Sequence, residues 1–232
     1  MWMIGALLCV AASLPSAGAQ GGELIIGVGG QLFFDDVDLV GERKVAVLST
    51  DEGYAASSDG LMSGSLWVLK GLGKGLYVGG QIQYYGSYTT APEEERNNDT
   101  RVKAFGQLLE LSGRGEWMYE VMDKVSVGLG AQLGLVMLFP GDDFEKEIDA
   151  LRDQGASVSS AGTPRLGYLV GPSLAARWRF MEPLALRLDL GLKWEQVYLF
   201  KTEEKIGGIP FRKDWQLDLI RYEVGVGLEV VL

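Results

Sequence analysis

From Leu184 to Glu195 the chain alternates without exception. Leu184, Leu186, Leu188, Leu190, Leu192 and Trp194 stand against Ala185, Arg187, Asp189, Gly191, Lys193 and Glu195. A period of two sustained this long predicts a strand with two chemically opposite faces. The C-terminus repeats it: Tyr222, Val224, Val226, Leu228, Val230 and Leu232 alternate with Arg221, Glu223, Gly225, Gly227 and Glu229. Upstream, Leu166 to Phe180 places Tyr168, Val170, Leu174 and Trp178 opposite Gly167, Gly171, Arg177 and Arg179. Val125 to Phe139 places its aliphatics opposite Ser126, Gly128, Gly130, Gln132 and Gly134. Leu109, Leu111, Trp117 and Tyr119 oppose Glu110, Arg114, Glu116 and Glu120; Leu76, Val78, Ile82 and Tyr84 oppose Gly79, Gln81 and Gln83; Leu24, Ile26, Val28, Leu32 and Phe34 oppose Glu23, Gly27, Gly29 and Gln31. One more strand, near 61–70, is needed to pair with 76–88, and Trp67 leaves its faces ambiguous. The pattern predicts eight strands.

The connections fall into two classes. Gly71 to Gly75, Met122 to Lys124 and Glu182-Pro183 are tight turns, whereas 35–60, 89–101, 140–165 and 200–214 are long and polar. Strict alternation of short and long connections predicts an up-and-down meander with two unlike ends. Within 140–165, Asp142 to Gln154 places Phe144, Ile148 and Leu151 on one helical face, ahead of Gly155. That spacing predicts a short amphipathic helix in an outer loop, expected to pack over the barrel mouth, with a partner-binding helix as the alternative.

Alternation alone does not say which face is inside. A soluble lipocalin-like barrel turns its apolar face inward, and a membrane barrel turns it outward. Glycine crowds the polar face at Gly27, Gly29, Gly79, Gly128, Gly130, Gly134, Gly167, Gly171, Gly191, Gly225 and Gly227. Inside a narrow barrel, small neighbours make room for charged side chains. The strand cores also match the roughly 9–11 residues that cross a bilayer with tilt. Aromatics mark the strand ends on the apolar face: Trp117, Tyr119, Trp178 and Phe180 beside short turns, Trp194 and Tyr222 further along, as two interfacial girdles require. The membrane barrel is the favoured reading and the soluble carrier the alternative.

Composition narrows the chemistry. The chain has 232 residues, no histidine, one cysteine and a net charge of −10. Without histidine there is no Ser-His or Cys-His catalysis and no His-ligated zinc or haem. An acidic chain lacks the basic stripe of a nucleic-acid surface. Ile4 to Ala12 followed by Ala17-Gly18-Ala19 reads as a secretory signal peptide over 1–19, leaving 20–232 as one barrel domain. Cys9 lies within that leader, so the mature chain is expected to carry no cysteine. No catalytic, cofactor-binding or metal-ligating residue is assigned.

With a leader, eight alternating strands, short turns, long loops and a last strand that ends the chain, the sequence resembles the small eight-stranded outer-membrane barrels of the OmpA/OmpX kind. The resemblance implies an all-β, antiparallel up-and-down transmembrane barrel in the outer membrane of a Gram-negative bacterium, with both termini periplasmic. It also implies contact with lipopolysaccharide and insertion by the barrel-assembly machinery. That machinery commonly reads a terminal Phe, where this chain has Leu232.

The polar face carries Glu110, Arg114, Glu116, Arg177, Arg179, Arg187, Asp189, Lys193, Glu195, Arg221, Glu223 and Glu229. Both signs occur, which points to an interior ion-pair network, because unpaired charge in such a core is costly. Centring the last hairpin on Gly207-Gly208 puts Lys193 opposite Glu223, Glu195 opposite Arg221, and Trp194 opposite Tyr222. Centring the preceding one on Pro183 puts Arg177 opposite Asp189. The loop acids Asp35-Asp36-Asp38, Glu93-Glu94-Glu95 and Glu203-Glu204, and the basic pairs Arg43-Lys44 and Arg212-Lys213, read chiefly as solvated loop charge. The leading expectation is a non-enzymatic barrel with a structural or surface-interaction role. A narrow channel for small or hydrophobic solutes is the alternative, and a barrel enzyme is disfavoured by the absent histidine.

Overall fold

The computed structural model describes residues 22–45, 48–92, 103–153, 157–160, 163–206 and 209–232. The leader expected over 1–19, the acids Glu93-Glu94-Glu95, and Gly155 lie outside the described residues. In chain order the elements are β1 (Leu24–Val45), β2 (Leu48–Gly73), β3 (Leu76–Pro92), β4 (Lys103–Met122), β5 (Val125–Pro140), α1 (Asp142–Asp153), β6 (Ser157–Ser160), β7 (Arg165–Met181), β8 (Leu184–Ile206) and β9 (Ile209–Val231). Eight strands close an antiparallel ring in which β1 pairs with both β2 and β9, and the four-residue β6 adds to the outer end of β8. Closure leaves the ring without an edge strand.

The shear of the barrel follows from its registers. Starting at Ile26, successive partners are Val68, Gly80, Gly113, Leu133, Val170, Trp194 and Ile220, and the circuit re-enters β1 at Asp36, ten residues further on. Eight strands with that stagger tilt by roughly 40° to the barrel axis, within the usual range for closed barrels.

The apolar positions face outward. Val28, Leu66, Leu133, Leu174, Leu190 and Val226 are exposed, while Arg187, Lys193, Arg221 and Glu229 are fully buried. This arrangement removes the soluble-carrier alternative, which needs the opposite orientation. Trp117, Trp178 and Phe180 are exposed near the turn end, with Tyr119 half-buried beside them; Phe34, Tyr84, Tyr168, Trp194 and Tyr222 are exposed toward the loop end. Trp178 and Phe180 rings lie 5.8 Å apart. The ambiguity at 61–70 resolves with Met62, Leu66 and Val68 outward and Trp67 inward.

Two expectations about the connections are corrected. Residues 35–60 and 200–214 are not irregular loops but continuations of the strands: β1 pairs with β2 as far as Val45↔Leu48, and β8 with β9 as far as Ile206↔Ile209. The backbone ladder persists through these segments although their sequence carries no sustained alternation. The register of the last two hairpins is also shifted. A two-residue connection such as 207–208 pairs Ile206 with Ile209, which sets odd positions against even ones. Directly paired residues share a face, so that parity would turn one strand inside out. A one-residue bulge between Tyr198 and Phe200 restores parity, and Trp178/Met181 does the same after Glu182-Pro183. The bulges at Gly71/Gly73 and Glu120/Met122 do so at the other two tight turns, where Lys74 and Lys124 adopt φ of 53° and 64°. In consequence Lys193 lies opposite Arg221, Glu223 opposite Gly191, Glu195 opposite Leu219, Arg177 opposite Arg187, and Asp189 opposite Ala175. Trp194 faces Ile220, and Tyr222 faces Leu192.

Candidate functional site

The lumen is stratified. At the turn end Ile25, Trp67, Leu69, Tyr77, Met118 and Ala175 form an apolar layer. Glu23 accepts from Tyr77 Oη at 2.5 Å and from Arg179 Nη2 at 2.7 Å at this mouth. Arg179 therefore sits apart from the interior network, half exposed at the turn end.

Above this layer lies a cluster of six buried charges. Arg187 pairs with Glu116, with Asp189 at 2.7 Å and with Glu229 at 3.1 Å. Arg114 pairs with Asp189 and Glu116, and Arg177 with Glu229. Three guanidiniums meet three carboxylates, so the cluster is formally neutral. Arginine suits this role because its fork donates several bonds from one fixed plane. Trp67 Nε1 donates to Glu229 at 2.9 Å, and the indole lies under the Arg187 guanidinium at 5.8 Å.

Trp67 also corrects the reading of the glycines. A Cβ at Gly27 or Gly227 would fall inside its indole, and at Gly79, Gly134 and Gly171 the backbone of a neighbouring strand occupies that place. These glycines accommodate one tryptophan and close strand approach more than they accommodate charge. Gly191 beside Glu223 and Gly130 beside Glu116 do border charged side chains, as the sequence led one to expect.

A relay of neutral groups leads to a second cluster. Arg114 donates to Gln81 at 2.8 Å, Gln81 to Gln83 at 2.9 Å, and Gln83 to Glu223 at 2.8 Å; Ser63 and Gln31 extend it sideways. In this second cluster Lys193 Nζ contacts Glu110 at 2.7 Å and Glu223 at 3.0 Å. Arg221 contacts Glu110 at 2.7 Å, Glu195 at 2.8 Å and Asp35 at 2.9 Å. Lys193–Glu223 and Glu195–Arg221 thus meet diagonally rather than directly across the ladder. Tyr85 donates to Glu223 at 2.7 Å, and the Arg221 guanidinium lies 4.1 Å over its ring.

Toward the loop end the lumen becomes apolar again. Phe33, Val37, Leu108, Val136, Leu138, Leu169, Val197, Leu199, Leu217 and Leu219 are buried together, with Phe144 and Ile148 of α1 inserted among them. The helix begins with Glu145 N donating to Gly141 O and is tied to the barrel by Glu145 and Arg165 at 3.2 Å. Phe200 stacks on Trp215 at 5.7 Å and packs at 6.3 Å from Phe144. Among the described residues no group of three or more His, Cys, Asp or Glu is arranged to hold a metal ion.

Sequence reasoning missed Asp35, Tyr85, Tyr77, Trp67 and this apolar outer layer. Asp35 was legible by parity, since it follows Gln31 and Phe33 on the inward face, but the Asp35-Asp36-Asp38 run resembles a loop. Tyr85 sits beside Tyr84, and which of two adjacent tyrosines turns inward depends on parity alone.

No family model and no curated protein matches the sequence. Among solved structures, the chain is similar to the outer membrane protein AlkL in lipid bilayers, at 12% identity over 94% of each chain with a TM-score of 0.50. It is also similar to the outer membrane protein OprG from Pseudomonas aeruginosa, at 14% identity over 92% of this chain and 98% of that one, TM-score 0.51. The fold is that of the small eight-stranded outer-membrane β-barrels.

Proposed function

We propose that this chain is a non-enzymatic integral barrel of the Gram-negative outer membrane, closed to bulk flow and serving a structural or surface-interaction role. The observation that carries the reading is the lumen itself: two sets of paired, buried charges lie beneath an apolar ceiling that α1 completes. A water-filled pore has neither feature. The outward apolar band between two aromatic zones supports insertion in a bilayer, with Trp117, Tyr119, Trp178 and Phe180 at one interface and Trp194 and Tyr222 at the other. Leu24 and Leu232 exchange hydrogen bonds of 2.9 and 2.8 Å at the short-turn end, which supports a periplasmic position for both termini. Lipopolysaccharide would surround the loop-end half, and the barrel-assembly machinery would receive β9.

A second reading is a route for small apolar solutes entering from outside, and the apolar outer lumen beneath α1 favours it. Reconstitution in lipid vesicles tests both. The closed barrel predicts protection of the strands from protease and little or no ion conductance. Uptake of an apolar dye that rises when α1 is deleted selects the second reading, and sustained large conductance excludes the first.

A further inference from the structure

The lipid-facing wall is not uniform. On the outer surface of β4, β5, β7, β8 and β9 a groove of about 710 Å³ runs between two rows of side chains. One wall is Val127, Ala176 and Leu188, direct partners across the ladder; the other is Leu129, Leu174 and Leu190, likewise paired. The floor between them is strand backbone, at Gly128, Ala175 and Gly225. Ala176 is the smallest wall side chain, and it widens the groove between Val127 and Leu188.

The registers give the groove a length and a direction. Trp117 pairs with Leu129 in one row and Tyr119 with Val127 in the other, so these aromatics mark the turn end. Val224, the partner of Leu190, marks the far end. From β4 to β9 the groove crosses four interstrand spacings of about 4.8 Å, a length of about 19 Å. In this direction the stagger of the ring carries each row toward the loop end. With strands tilted by roughly 40°, the groove rises about 12 Å along the barrel axis. That is about one leaflet's depth of a hydrocarbon core roughly 30 Å thick.

In a bilayer apolarity alone selects nothing, because lipid tails are as apolar as leucine. Shape and headgroup charge must select. The groove is narrow, apolar along its walls, and begins at interfacial aromatics, which is the outline of one extended acyl chain. A second copy would present the same concave face, so a symmetric pair would leave both grooves unfilled. The headgroup end carries both signs. The β4–β5 turn follows Tyr119 and leads back to Val127, and it exposes Glu120, Asp123 and Lys124. Arg179 N donates to Lys124 O at 2.8 Å, which fixes this turn against β7. Lysine suits a phosphate, and the carboxylates suit a primary ammonium.

We propose that this groove is a binding site for one acyl chain of a phosphatidylethanolamine from the turn-side leaflet, with its headgroup at Lys124 and the adjoining carboxylates. The site rests on the membrane-inserted reading above and adds a resident lipid to it.

The full chain refolded into vesicles of phosphatidylethanolamine, phosphatidylglycerol and phosphatidylcholine in equal parts provides the test. Protease protection reports insertion, and native mass spectrometry after extraction in mild detergent counts the lipid retained by each chain. The expected result is one phosphatidylethanolamine per chain, in preference to the other two lipids. Ala176→Phe fills the groove with an apolar ring that a lipid-facing position tolerates. It should lower retention by about tenfold, the equivalent of about 1.4 kcal/mol. Val28→Phe, on the exposed outward face of β1, should leave retention unchanged. Glu120→Gln combined with Asp123→Asn should abolish the preference for phosphatidylethanolamine over phosphatidylglycerol. Insertion without retained lipid, equal retention of all three lipids, or retention that ignores Ala176→Phe overturns the site while the membrane-inserted reading stands. Failure to insert overturns both. A lipid-free dimer that Ala176→Phe disrupts also overturns the site, and gives the groove to a second copy.

Discussion

The middle of the lumen and its loop end are made by the same strands with the same inward parity, yet they are filled with opposite chemistry. Between the turn-end layer and the relay, arginines and carboxylates pair in a neutral set; beyond Glu195, the inward positions are Val197, Leu199, Leu217 and Leu219. The first half depends on geometry, because each guanidinium must reach its partners. The second depends on volume, because aliphatic side chains and a helix need only fill space. What the contrast teaches is that inward parity does not define a polar lumen. A barrel can be sealed by charge where it is deepest in the membrane and by an ordinary hydrophobic core where it emerges.

The sharpest way to break the charged half is Arg187→Met. It leaves Glu116, Asp189 and Glu229 short of a cation in a buried site, and a loss of roughly 3–5 kcal/mol is expected in denaturant unfolding from detergent. A loss under 1 kcal/mol would falsify the view that this cluster is desolvated. Slightly smaller is the effect of Trp67→Ala, which opens a cavity and removes the donor to Glu229, at about 3–4 kcal/mol. Its companion is Gly27→Ala, expected to cost roughly 1–3 kcal/mol in the presence of Trp67 by overpacking. Combined with Trp67→Ala, the same alanine should cost far less, and simple additivity of the two changes would show that Gly27 matters for another reason.

The apolar half is probed by Ile148→Ala. Loss of about 2–4 kcal/mol of docking is expected, read out as faster proteolysis within 142–153 while the barrel strands stay protected. Equal protease resistance in the variant would mean that α1 is held by Arg165–Glu145 rather than by packing. At the bottom of the scale, Arg152→Ala removes an exposed pair with Asp149 at 2.8 Å. A change below about 0.5 kcal/mol is expected there.

Much of this was legible in the sequence, and the reasons are specific. Leu184 to Glu195 could be read as a strand because pleated backbone sends alternate side chains to opposite faces. The helix over 142–153 was legible from Phe144 and Ile148 at helical spacing. Register was not. Centring a hairpin on its turn ignores the bulge that a two-residue connection imposes, and Arg177 was matched with Asp189 when it lies across from Arg187 and pairs with Glu229 on another strand. The extended hairpins were missed because their sequences carry no sustained alternation, although the ladder hydrogen bonding continues.

The amino-acid pattern was enough to count the ring strands, to separate the two faces of seven of them, and to place both charge signs on the polar face. Those properties are local, because each follows from the period of two along one strand. Folding in three dimensions was needed to show which charges meet, that they separate into a neutral cluster and an acidic one, and that an aliphatic layer lies over the second. Those depend on shear, on bulges that shift register and on contacts across the barrel between residues more than a hundred positions apart, such as Arg221 and Glu110. A periodic pattern carries no information about that distance. Closure of the ring supplies it.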